Sequence, residues 1–162
     1  MTFWQSVQTN MTWKGVIIAS LAAGSVFMAT FYLLAPAMLD IEGVLLPKYV
    51  ASLLLGEGAV TDGENATVAI GFLLHYLLSF VFSLLIAVVV HRWGLAVGVI
   101  GGCLMGLALY GVNLFTFTVI FEWFFALEST TLLISHVLFG MTAGGIYEIF
   151  DHYDVPFELG GD

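Results

Sequence analysis

Four long apolar runs, separated by brief polar punctuation, dominate the chain: residues 15–39, 67–90, 95–120 and 130–150. A helix of about 20 mostly apolar residues crosses the hydrocarbon core of a bilayer, so the pattern predicts an all-α integral membrane protein, a four-transmembrane-helix bundle forming one domain over residues 1–162. The first run is introduced by Trp13 and Lys14 and closed by Pro36 and Asp40, the second by His91, Arg92 and Trp93. Only a tight turn separates the second run from the third, so those two spans run antiparallel. Between the first two runs, residues 47–55 (PKYVASLLL) predict a short surface helix, since proline suits a helix's first position. GEGAVTDGEN then reads as a solvated loop, FEWFFALES as an aromatic and acidic connection, and residues 151–162 as an acidic tail.

Composition narrows the reading. The chain is 60% hydrophobic and 9% charged, with a mean hydropathy of +1.05, whereas soluble domains carry roughly a quarter charged residues. A net charge of −9 with only Lys14, Lys48 and Arg92 as cations leaves no footprint for nucleic acid. The first ten residues lack a basic segment, so the first span is expected to be retained rather than cleaved as a signal peptide. Four spans put both termini on one side, together with Lys14 and Arg92; the positive-inside rule makes that side the cytoplasm. The lone Cys103 excludes an internal disulfide and a cysteine-based metal set. Trp4, Trp13, Trp93 and Trp123 fall near span ends, where interfacial anchoring is expected.

The halves resemble each other. The first span opens GVIIASLAAG at Gly15 and the third GVIGGCLMG at Gly98, while the same interval separates His75 from His91 and His136 from His152. This predicts two helical hairpins packed as parallel repeats. Small residues recur every four positions: Gly98, Gly102 and Gly106 in the third span, Gly140 and Gly144 in the fourth, with Ala19, Ala23 and Ser20, Gly24 in the first. Such faces let helix backbones approach closely, either inside the bundle or against another subunit or a second copy.

Candidate chemistry centres on two histidines, because polar side chains at membrane depth usually face protein. Counting rise per residue puts His75 and His136 at one depth, with Thr30, Tyr32, Ser79, Asn113 and Thr116 in the same half of the bilayer. His75, Ser79 and Ser83 form a polar stripe. Three readings stay open. Paired imidazoles at matched depth could ligate a b-type haem as cofactor. A His, Asn and Tyr cluster could handle quinone or protons, although Glu148 and Asp151, at the far end of the last span, are expected to be solvated and outside any relay. The third reading has both rings neutral and hydrogen-bonded as packing groups. No metal set is visible, since His91 and His152 would need Asp151 to make even three ligands, and no serine has a base to activate it.

From His75 onward, LLHYLLSFVFSLLIA, the glycine-rich GVIGGCLMGLALYGVN, the aromatic loop around Trp123 and SHVLFG resemble the YagU-like group of small bacterial inner-membrane proteins. The likeness covers about half the chain, roughly residues 67–150; the first span and residues 40–65 stand apart from it. It implies an inner-membrane location and, through that group, a link to acid tolerance. The function expected from the sequence is a non-enzymatic accessory or structural subunit of a larger membrane complex. An electron-transfer subunit binding haem b or quinone through His75 and His136, and a small oligomeric transporter, are the alternatives.

Overall fold

An apolar run of 20 or more residues has one economical way to satisfy its own peptide groups, a continuous helix. The computed structural model describes residues 11–61 and 64–153, the last two of these by backbone alone, and the regular structure it describes is entirely helical. Helix α1 is Trp13–Leu39, α2 Leu45–Leu55, α3 Asn65–Val90, α4 Leu95–Val112 and α5 Thr130–Tyr153. A π-helical turn, Asn113–Phe117, and a final turn, Thr118–Ile120, extend α4. Short 3-10 helices cover Glu57–Val60 and Glu122–Leu127. Four helices, Trp13–Leu39, Asn65–Val90, Leu95–Ile120 and Thr130–Asp151, are long and apolar enough to cross a membrane. Trp4, the side chain of His152 and residues 154–162 of the acidic tail lie outside the described residues, as do residues 62 and 63.

Boundaries have local causes. Pro36 lacks an amide hydrogen, and α1 ends within one turn of it at Leu39, where Asp40 adopts a left-handed conformation with φ of 55°. Arg92 and Gly94 have φ of 63° and 86°, which reverses the chain between α3 and α4 in very few residues.

Helix α5 is the axis of the bundle. It is the most buried of the four long helices and packs along both α4 and α1, with a smaller contact to α3. The α4–α5 contact is backbone against backbone. A Cβ placed on Gly102 would stand 2.1 Å from the Gly140 carbonyl oxygen, one on Gly140 2.0 Å from the Gly102 oxygen, and one on Gly144 2.1 Å from the Gly98 oxygen. Gly106 continues this antiparallel register against the His136 carbonyl oxygen, where a Cβ would be 2.2 Å away. Hydrogen is the only substituent these positions admit. On the other flank, Gly24 of α1 lies beneath Ser79 and Tyr76 of α3, and the Ser25 and Tyr76 hydroxyls bond at 2.9 Å.

The halves do not pack alike. Helix α1 lies along α5, but the corresponding pair, α3 and α4, touch sparingly despite the tight turn that joins them. Their separation is filled at one end by α2. Gly71 of α3 admits the Pro47 carbonyl, a Cβ there standing 1.9 Å from the oxygen, so α2 lies close against the first half of α3. The Trp123 indole N–H donates to Ser52 Oγ at 2.8 Å, and Tyr49 meets Phe124 edge to face at 5.6 Å, which ties α2 to the 3-10 helix Glu122–Leu127 as a cap. Burial, reinforced by the Glu57 carboxylate, pushes the Tyr49 phenol up, so this aromatic cap stays uncharged. Trp13 and Trp93 remain exposed.

Ser83 carries the buried side-chain hydroxyl with no partner among the described residues. Replacing it by alanine removes a desolvated group of this kind, so Ser83→Ala is expected to leave stability unchanged or raise it by up to about 1 kcal/mol. Gly140→Leu must drive α4 from α5 and is expected to cost more than about 3 kcal/mol, because the obstructing atoms are backbone. Reversible unfolding in mixed micelles measures both.

Candidate functional site

The two histidines come together on adjacent helices, and their hydrogen bonds fix which nitrogen carries the proton. His75 Nε2 lies 3.0 Å from the Gly24 carbonyl oxygen; a carbonyl only accepts, so Nε2 is the N–H and Nδ1 the lone pair. Ser79 Oγ is a longer 3.4 Å from the same Nε2. In His136 the assignment is reversed. Its Nδ1 donates to the Leu132 carbonyl at 2.8 Å, and its Nε2 accepts from the Asn113 amide nitrogen at 2.6 Å. Phe27 of α1 rests against both rings, with centroids 5.4 Å from His75 and 4.8 Å from His136.

These groups line a partly open cavity of about 110 Å³. Its polar members are His75, Ser79, Asn113, Thr118 and His136; every other lining residue is Leu, Val or Phe, drawn from all five helices and the 3-10 helix Glu122–Leu127. The cavity lies where α3 and α4 diverge, under the α2 cap. The π-turn beginning at Asn113 shapes one wall, and the Thr118 hydroxyl is spent on the Leu114 carbonyl within it. Among the polar residues that depth alone suggested, Ser79 and Asn113 join the histidines. Thr30, Tyr32 and Thr116 do not line the cavity, and Tyr32 and Thr116 are exposed. Depth counting carries no azimuth, which is why it grouped residues on opposite faces. Thr118 went unnoticed because its polar neighbour Thr116 was the more central in the span.

Haem b does not fit these residues. Axial ligation needs one free nitrogen from each ring across an iron, yet both nitrogens of His136 and Nε2 of His75 are committed to protein partners, and Phe27 touches both rings. The volume also falls below the roughly 300–1,000 Å³ of pockets that hold drug-sized molecules. Among the described residues no three His, Cys, Asp or Glu side chains are grouped to hold a metal ion.

A second polar cluster lies at the opposite end of the bundle and corrects an expectation. Glu148 and Asp151 are not solvated: they are 3% and 7% exposed. The Glu148 carboxylate accepts from the backbone N–H of Gly94 at 2.8 Å and of Trp93 at 3.4 Å, so α5 caps the start of α4 with a negative charge where a helix N-terminus favours one. Asp151 accepts from the Thr12 hydroxyl at 2.8 Å and the Tyr147 hydroxyl at 3.4 Å, and lies 3.2 Å from His91 Nδ1, itself 2.7 Å from the Tyr147 oxygen. The sequence signal was the spacing: Gly140, Gly144 and Glu148 form one stripe, so a residue that continues the glycines must face α4. Ala143, Tyr147 and Asp151 form the adjacent stripe.

Compared with known proteins, the chain matches no family model, no curated protein and no solved structure.

Asp151→Ala strands three partners at once and is expected to lower stability by about 1–3 kcal/mol in thermal unfolding of the detergent-solubilised protein. Asn, which keeps one acceptor oxygen, is expected to recover part of the loss.

Proposed function

We propose that this chain is a polytopic protein of a prokaryotic inner membrane, both termini cytoplasmic, that binds a small apolar molecule drawn from the bilayer in the His75–His136 cavity and carries out no chemistry on it. The cavity carries this reading: a Leu, Val and Phe lining with a few convergent polar groups is the usual make-up of a small-molecule site. Its position where α3 and α4 part gives a lipid-facing route for an apolar solute. The YagU-like resemblance from His75 onward agrees with the proposed membrane. Binding without catalysis is favoured because His136 has neither nitrogen free to move a proton and no carboxylate lines the cavity. A role as an accessory subunit in a larger assembly draws less support from the small-residue faces, since Gly98, Gly102, Gly106, Gly140 and Gly144 are filled within the chain; a partner would meet the outward apolar faces of α3 and α4 instead.

Titration with butylbenzene tests the proposal. Saturable binding is expected to stabilise the protein by about 2.7 kcal/mol at a hundred times Kd. Leu53→Trp, which fills the cavity from the half-buried face of α2, is expected to abolish that gain while leaving the unliganded melting temperature close to that of the parent. Equal stabilisation of both proteins, or none of either, overturns the reading.

A further inference from the structure

The hydrogen-bond assignment at the two histidines says more about the ligand than the apolar lining does. His75 Nε2–H is committed to the Gly24 carbonyl, so its Nδ1 is a bare acceptor, and no protein donor meets it among the described residues. The amide of Asn113 is oriented by His136: because His136 Nδ1 donates to Leu132, its Nε2 can only accept, which forces the Asn113 NH2 toward it and leaves Asn113 Oδ1 without a donor. Neither His75 nor Asn113 carries a buried polar atom cut off from both protein and open space, since Ser83 Oγ alone has that condition among the described residues. The two orphan acceptors are therefore accessible, on side chains that line one cavity.

We propose that the cavity binds an uncharged apolar molecule headed by a hydroxyl group, a phenol or alcohol, which donates its proton to His75 Nδ1. This rests on the cavity being a ligand site. A carbonyl-headed molecule, a quinone for instance, brings only acceptors to acceptors and leaves both unsatisfied, whereas a hydroxyl supplies the missing donor and can accept in turn from Ser79. A charged head finds no counter-ion, because no Lys, Arg, Asp or Glu lines the cavity. The volume of about 110 Å³ is below the roughly 150 Å³ of an apolar cavity that takes benzene, so its enclosed part admits no more than one small ring or one branched unit. Any longer tail must leave by the open side between α3 and α4.

Three matched probes separate this proposal from the more general one: 4-butylphenol, 4-butylbenzaldehyde and butylbenzene, each titrated into the full-length protein in detergent and corrected for partition into micelles. The phenol is expected to bind about tenfold tighter than the other two, the equivalent of one hydrogen bond of about 1.4 kcal/mol. His75→Phe, which keeps a ring against Phe27, is expected to erase most of that preference while retaining butylbenzene binding. In the unmodified protein labelled with ¹⁵N-histidine, the His75 Nδ1 resonance is expected to move upfield with the phenol alone, a readout that does not depend on any variant folding. Equal affinity for all three probes, or a Nδ1 resonance that no probe moves, overturns the hydroxyl assignment and leaves the ligand site standing. Failure of all three to bind overturns both.

Discussion

Everything in this bundle follows from the contact between α4 and α5. Two helices whose backbones meet at Gly98, Gly102 and Gly106 on one side and Gly140 and Gly144 on the other cannot be moved apart or rotated without losing dispersion contact along several turns, and for helices apolar enough to cross a membrane such contact would be the main attraction inside one. The pairing fixes the position of α4, and it does so at the expense of α3. Helix α4 can lie flush against only one neighbour through its glycine face, so beyond the turn that joins them it stands off from α3. The gap that results, closed at one end by α2 and the 3-10 helix Glu122–Leu127, is the cavity.

The same contact accounts for the polar interior. Because Gly106 abuts the His136 backbone, the histidine stands at the margin of the glycine interface, where α4 is close enough for Asn113 to reach its Nε2. At Asn113 itself, α4 widens into its π-turn. His75 is held differently, by the carbonyl of Gly24, a position where α1 and α3 approach closely because α1 has no side chain there. Each ring is thus fixed by a partner that a glycine brings into range. Neutral, singly protonated imidazoles follow from the geometry without any external charge.

The four long helices were legible in the sequence because transbilayer length and hydropathy are properties of consecutive residues. The glycine spacing was equally plain, since a four-residue interval is a property of a single helix. What the sequence withheld was azimuth between helices. Tyr32, Thr30 and Thr116 share a depth with His75 but point elsewhere, and nothing in their own runs distinguishes them from Asn113. Glu148 and Asp151 misled for a related reason: charged residues near a span's end usually reach water, and only the stripe through Gly140 and Gly144 marks Glu148 as facing α4. The even likeness of the halves also concealed an uneven packing, because Gly102 and Ala19 occupy similar places in their runs, yet Ala19 carries a Cβ whereas one on Gly102 would stand 2.1 Å from a backbone oxygen.

The cluster of Thr12, His91, Tyr147 and Asp151, with Glu148 beside it, fastens α1, α3, α4 and α5 at one end, whereas the other end is bridged, among the described residues, by aromatic edges, the Trp123 indole hydrogen bond and a long contact from the Thr131 hydroxyl to the Met38 sulfur. Polar bonds thus root the bundle at one end, while packing closes the other. Helices α3 and α4 are joined at the rooted end and part toward the cavity, as two beams set in one mount. An occupant of the kind proposed would pass between the free lengths of the beams, away from their mount.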